Sequence, residues 1–73
     1  MKKKILIVGR AGTGKTTLAN IIAKETGYGI LEEALFLPIL LKTSENGMIY
    51  TTNDLDILEE RHILKDFTII ELY

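Results

Sequence analysis

The sequence predicts an α/β fold: a small core, two or three layers deep, with flanking helices on a mostly parallel three-stranded sheet. Three observations predict it. The apolar, β-branched run "KILIV" at residues 4–8 reads as a strand covered on both faces. A glycine-rich turn and a helical pattern follow it directly. The last third of the chain repeats the alternation as strand, helix and strand, and such alternation implies parallel pairing through crossovers. At 73 residues the expected organisation is a single domain over 1–73, with no repeat, linker or low-complexity segment.

Each element has its own signal. After the first strand, "GRAGTG" supplies the turn. From Lys15 to about Thr26, Leu18, Ile21, Ile22 and Glu25 fall at helical spacing, with the apolar members expected on one face. Gly27 supplies the helix stop. The segment "YGILEEALFLPILLKTSENG" supports two readings. Ile30, Leu31, Ala34, Leu35 and Leu41 permit a helix broken at Pro38, which lacks an amide donor. Alternatively "ENG" turns "PILLKTS" back on "MIYTT" as a hairpin. The broken helix is the favoured expectation. "GMIYTT" reads as a buried strand. Asn53 or Asp54 then caps a helix, "DLDILEERHILK", with Leu55, Leu58, Ile63 and Leu64 as its apolar members. "FTIIELY" closes the chain as a strand.

Composition narrows the function classes. Nine basic and ten acidic residues leave a net charge of −1, which argues against unaided nucleic-acid binding. Lys2, Lys3 and Lys4 read as solvated charges ahead of a buried strand. The absence of cysteine excludes disulfides and thiolate zinc sites. The apolar run "ILIV" is too short for a signal-peptide core or a membrane span, so a soluble, cytoplasmic protein is expected. Hydrophobic residues make up 47% of a chain with few positions to enclose them. A protein partner or self-association through the uninterrupted apolar residues 34–41 is therefore expected.

The chemistry-bearing motif lies in the turn. Gly9, Arg10, Ala11, Gly12, Thr13, Gly14, Lys15 and Thr16 fit G-x-x-x-x-G-K-[ST], the phosphate-binding loop or Walker A motif. Glycines let successive backbone N–H groups converge on phosphate oxygens, and the following helix directs its positive end to the same place. Lys15 is expected to reach the β- and γ-phosphates and the Thr16 hydroxyl to ligate Mg²⁺, with Thr17 beside them. A chance match in a chain this long is on the order of one in several hundred. Here the loop also sits between an apolar strand and an amphipathic helix, the context the motif requires. Arg10, inside the loop, is within reach of phosphate or a neighbouring subunit, and reads first as a solvated loop residue.

"GRAGTGKTTLA" resembles the nucleotide loop of AAA+ ATPases, which commonly read G-x-x-G-T-G-K-T-x-L-A. "MIYTTNDLDILEERHILKDFTIIEL" extends the likeness, because a buried strand in that family often ends in T-T-N or T-S-N at the sensor 1 site. The resemblance implies that Asn53 stands near the γ-phosphate and orients the attacking water. On its own residues, Asn53-Asp54 also reads as a plain helix cap. The same stretch is similar to the end of an ABC-type ATPase core, a second choice, in which Asn53 replaces a histidine. Both belong to the P-loop NTPase superfamily.

The AAA+ sheet has the strand order 5-1-4-3-2. On that plan the chain is expected to keep strands 5-1-4 and not the segment that would carry the Walker B acids or the helical lid. Where the family often has Arg-Phe, the chain has Asp66-Phe67. Arg61, one turn earlier, is a weak substitute arginine finger and reads better as a helix-surface residue near Glu59 and Glu60. Glu71, Asp54, Glu32 and Glu33 are candidate acids that read first as surface carboxylates. His62, the sole histidine, has no paired acid or nucleophile. The functional expectation is binding of ATP or GTP with Mg²⁺, and weak or oligomer-dependent hydrolysis. Two alternatives stand beside it. One is a nucleotide-gated binding module or inhibitor of a larger ATPase machine, encoded by a virus or mobile element. The other is a small kinase-like phosphotransferase.

Overall fold

The computed structural model describes residues 3–31 and 45–72. Strand β1 (Lys4–Gly9) runs into helix α1 (Lys15–Thr26) and a short strand β2 (Gly29–Leu31). Strand β3 (Met48–Thr52) leads through a 3₁₀ helix (Leu55–Glu60) to strand β4 (Phe67–Leu72). The four strands form one sheet in the order β2-β3-β1-β4, and every pair is parallel.

β1 is central because its sequence suits burial on both sides. Leu6 and Val8 face one way, with Tyr50, Ile57, Leu64 and Phe67. Ile7 faces the other way, with Ala19 of α1 and Ile49. The sheet is thus covered by α1 on one face and by residues 55–64 on the other, which makes three layers. Leu6, Ile7 and Val8 are fully enclosed. Lateral register is set by the same alternation: Leu6 lies level with Tyr50 and Ile69, and Ile7 with Thr51 and Ile70. Tyr50 and Phe67 meet edge to face, and the Tyr50 hydroxyl accepts from the Glu45 amide at 2.9 Å.

The α/β class, the parallel sheet and the β4-β1-β3 adjacency agree with the 5-1-4 plan. Three expectations are corrected. First, the sheet has a fourth strand. Ile30 and Leu31, expected in a broken helix, belong to β2, where Ile30 lies level with Ile49 and packs on the α1 side. The Gly29 amide bonds the Gly47 carbonyl at 3.1 Å, and a Cβ on Gly29 would meet the Met48 sulfur at 2.8 Å. The rest of the broken helix, its rival hairpin strand, Pro38, Glu32, Glu33 and residues 34–41 lie outside the described residues.

Second, the late helix is a 3₁₀ segment of six residues. Fourteen residues, 53–66, carry the chain across β1 from β3 to β4, close to the minimum for a parallel crossover. Leu55, Leu58 and Leu64 recur at multiples of three, the spacing that a 3₁₀ turn eclipses. Asp54, not Asn53, is its cap, accepting from the Asp56 amide at 3.0 Å. Third, not every helical-period residue is buried. Ile21 and Ile63 are exposed. On α1 the small Ala19 makes the closest approach to the sheet. Gly27 does end α1, at φ 77°, with its amide bonded to the Ala23 carbonyl at 2.7 Å. Among the described residues no helix is long and apolar enough to cross a membrane.

Candidate functional site

Parallel pairing puts the carboxyl ends of β1, β3 and β4 on one edge of the sheet. In open α/β sheets that edge is where ligands bind. The loop 10–14 leaves β1 at this edge and turns into α1. Gly12 and Gly14 have φ of 82° and 88°, the left-handed region in which a side chain is strained. No side chain caps α1 at Gly14. The first-turn amides, which a helix cannot satisfy internally, are therefore left at the loop.

One carbonyl organises the loop. The Arg10 oxygen accepts from Lys15 Nζ at 2.8 Å, from the Thr13 hydroxyl at 2.7 Å and from the Thr13 amide at 3.3 Å. This folds the Lys15 ammonium back onto the loop. Arg10 itself is exposed, as are Ala11, Gly12, Thr16 and Thr17. Thr16 and Thr17 stand in the first turn of α1, and the Thr16 carbonyl accepts from Asn20 Nδ2 at 2.9 Å.

Gly9 is constrained by contact rather than by φ. A Cβ there would lie 2.7 Å from Thr13 Oγ1, 2.8 Å from the Leu72 carbonyl oxygen and 3.1 Å from Leu72 Cβ. Gly9→Ala is accordingly expected to destabilise the chain by about 1–3 kcal/mol. Gly12→Ala meets no atom and carries only the positive-φ strain of about 1–2 kcal/mol. Urea unfolding of the two variants measures the difference. Leu72 as a wall of the loop was not visible in the sequence, because only the β1–β4 register brings it to Gly9.

Asn53 follows β3 directly. Val8 pairs with Thr52, so the register carried one residue further sets Asn53 level with Gly9. Asn53 is exposed at this edge. The buried Thr52 accepts from the Asp54 amide at 3.1 Å. Of the candidate acids, the two among the described residues are engaged. Asp54 caps the 3₁₀ helix. Glu71, level with Val8, does lie on the strand beside β1, but it forms an ion pair with Arg61. Arg61 thus reaches across to β4. His62 lies 3.8 Å from Glu60, well exposed. Among the described residues, no three histidine or carboxylate side chains cluster as a metal site.

Residues 5–39 match the family model for the ATPase family associated with various cellular activities (AAA). One of the curated relatives, Chromosome transmission fidelity protein 18 of Schizosaccharomyces pombe, is 52% identical over 31 residues. That match covers 42% of this chain, which spans only 3% of the length of that relative. Motif, loop geometry and both comparisons agree: residues 5–39 are similar to the P-loop segment of AAA ATPases.

Proposed function

We propose that the chain is a single minimal unit over 1–73 that binds a nucleoside triphosphate, ATP or GTP, with Mg²⁺, and hydrolyses it weakly or only in an assembly. The observation that carries this reading is the loop itself. Positive-φ glycines, an uncapped helix start and an ammonium folded back onto the loop converge at the carboxyl edge of a parallel sheet. Backbone amides of residues 9–14 and of the first turn would hold the phosphates, together with Lys15. Thr16 offers one hydroxyl for Mg²⁺, an ion that commonly takes few protein ligands and completes its shell with phosphate oxygens and water. Bound Mg²⁺ would neutralise phosphate charge. Asn53, level with Gly9, would orient a water.

Phosphoryl transfer depends on positioning and charge neutralisation, and this chain supplies the first more fully than the second. Glu71 and Asp54 are already occupied. That favours a second reading as well: a nucleotide-gated module that docks on a protein partner, with the phosphate loop as its switch.

A titration with ATP and with GTP, each with and without Mg²⁺, tests the proposal. A ligand that binds only the folded state raises the melting temperature with its occupancy, by about 2.7 kcal/mol of stability at one hundred times Kd. Stabilisation by Mg·ATP or Mg·GTP is the expected result. No shift at millimolar nucleotide would defeat the binding proposal. Multiple-turnover hydrolysis by the isolated monomer, abolished in Lys15→Ala, would defeat the assembly-dependent part. Activity that rises with protein concentration supports it.

A further inference from the structure

We infer that Arg61 is a positioning residue for the phosphate loop, acting within its own chain through Glu71. The inference rests on the reading of residues 9–17 as a nucleotide site, and it adds a contact chain that reaches that site from the opposite face of the sheet.

The contacts are continuous. Arg61, in the turn after the 3₁₀ helix, pairs with Glu71 of β4. Glu71 lies level with Val8, and its neighbour Leu72 lies level with Gly9. The Leu72 backbone and Cβ stand so close to Gly9 that no side chain fits there. The same Cβ position meets the Thr13 hydroxyl, which donates to the same Arg10 carbonyl that holds Lys15 Nζ. The end of β4 and the loop therefore meet over Gly9. Among the described residues β4 is an outer strand, paired with β1 on one side. Arg61 ties that end to the 55–64 layer.

The ion pair is suited to the task. The Glu71 side chain is 28% exposed and that of Arg61 52% exposed, so solvent screens the pair only in part. An arginine finger acting on a neighbouring molecule would need its guanidinium directed away from its own sheet. Here it is directed at Glu71.

The test compares the 73-residue chain with Arg61→Ala, Glu71→Gln and the charge-swapped double variant Arg61→Glu/Glu71→Arg. The readout is amide hydrogen exchange without nucleotide. The Thr13 amide, bonded to Arg10 inside the loop, reports the phosphate loop, and the Gly27 amide, at the far end of α1, reports general loosening. Each single variant is expected to speed Thr13 exchange about threefold to fivefold while sparing Gly27, and the double variant to restore it. The Kd for Mg·ATP is expected to weaken by the same factor. Unchanged Thr13 exchange, equal acceleration at both amides, or no recovery in the double variant would each overturn the inference. Because exchange needs no nucleotide, a chain that fails to bind ATP defeats the functional proposal and leaves this test intact.

Discussion

Lys15→Ala is expected to remove most nucleotide-dependent stabilisation while leaving the free fold nearly unchanged. Lys15 is half-buried, and among the described residues its Nζ donates to the Arg10 carbonyl. Losing that bond in the free chain costs about 1 kcal/mol or less, since the Arg10 oxygen keeps the Thr13 hydroxyl and amide. Losing the ammonium against phosphate removes a charge-assisted contact worth about 1.5–3 kcal/mol, a weakening of about tenfold to more than a hundredfold in Kd. The contrast between the two states is the informative quantity. Melting temperatures with and without Mg·ATP measure both in one series. A variant that melts much lower without nucleotide would show Lys15 to be structural. One that keeps its nucleotide-induced shift would place the phosphates elsewhere.

The second large effect concerns the fold that presents the loop. Leu6→Ala is expected to cost about 2–5 kcal/mol. Leu6 is fully enclosed in the central strand, level with Tyr50 and Ile69, and packs in the cluster that joins the sheet to residues 55–64. A chain of 73 residues has little stability in reserve. At about 4–8 °C per kcal/mol, the melting temperature should fall by about 8 °C or more. Ile21→Ala is the matched control. Ile21 is 56% exposed on α1, so its truncation should stay within about 0.5 kcal/mol. Equal losses at the two positions would contradict the layer assignment, and circular dichroism melts distinguish the outcomes.

The contrast between Leu6 and Ile21 shows where sequence reading succeeded. Residues 5–8 are apolar at every position, so burial on both faces follows whatever their neighbours are. The glycine loop is equally self-evident. Its backbone demands are local, and Gly12, Gly14 and Gly27 take the positive φ that their residue type permits. The strand–loop–helix unit, and through it the candidate phosphate site and the likeness of residues 5–39 to the AAA family, were legible because short-range chemistry decides them.

Other features had no local signal. Ile21 and Ala19 both fit the helical period of α1. Only the proximity of the sheet, which admits alanine most closely, determines which of them turns inward. Ile30 suits a helix or a strand, and pairing with Ile49 of β3 resolves the choice. The 55–60 segment has an α-like pattern, yet it winds as 3₁₀ where the connection must cross β1 in fourteen residues. The pairing of Arg61 with Glu71 and the contact of Leu72 with Gly9 join positions at least ten residues apart. Side-chain periodicity specifies what each element prefers to bury, but register and layer spacing between distant elements decide which surfaces meet.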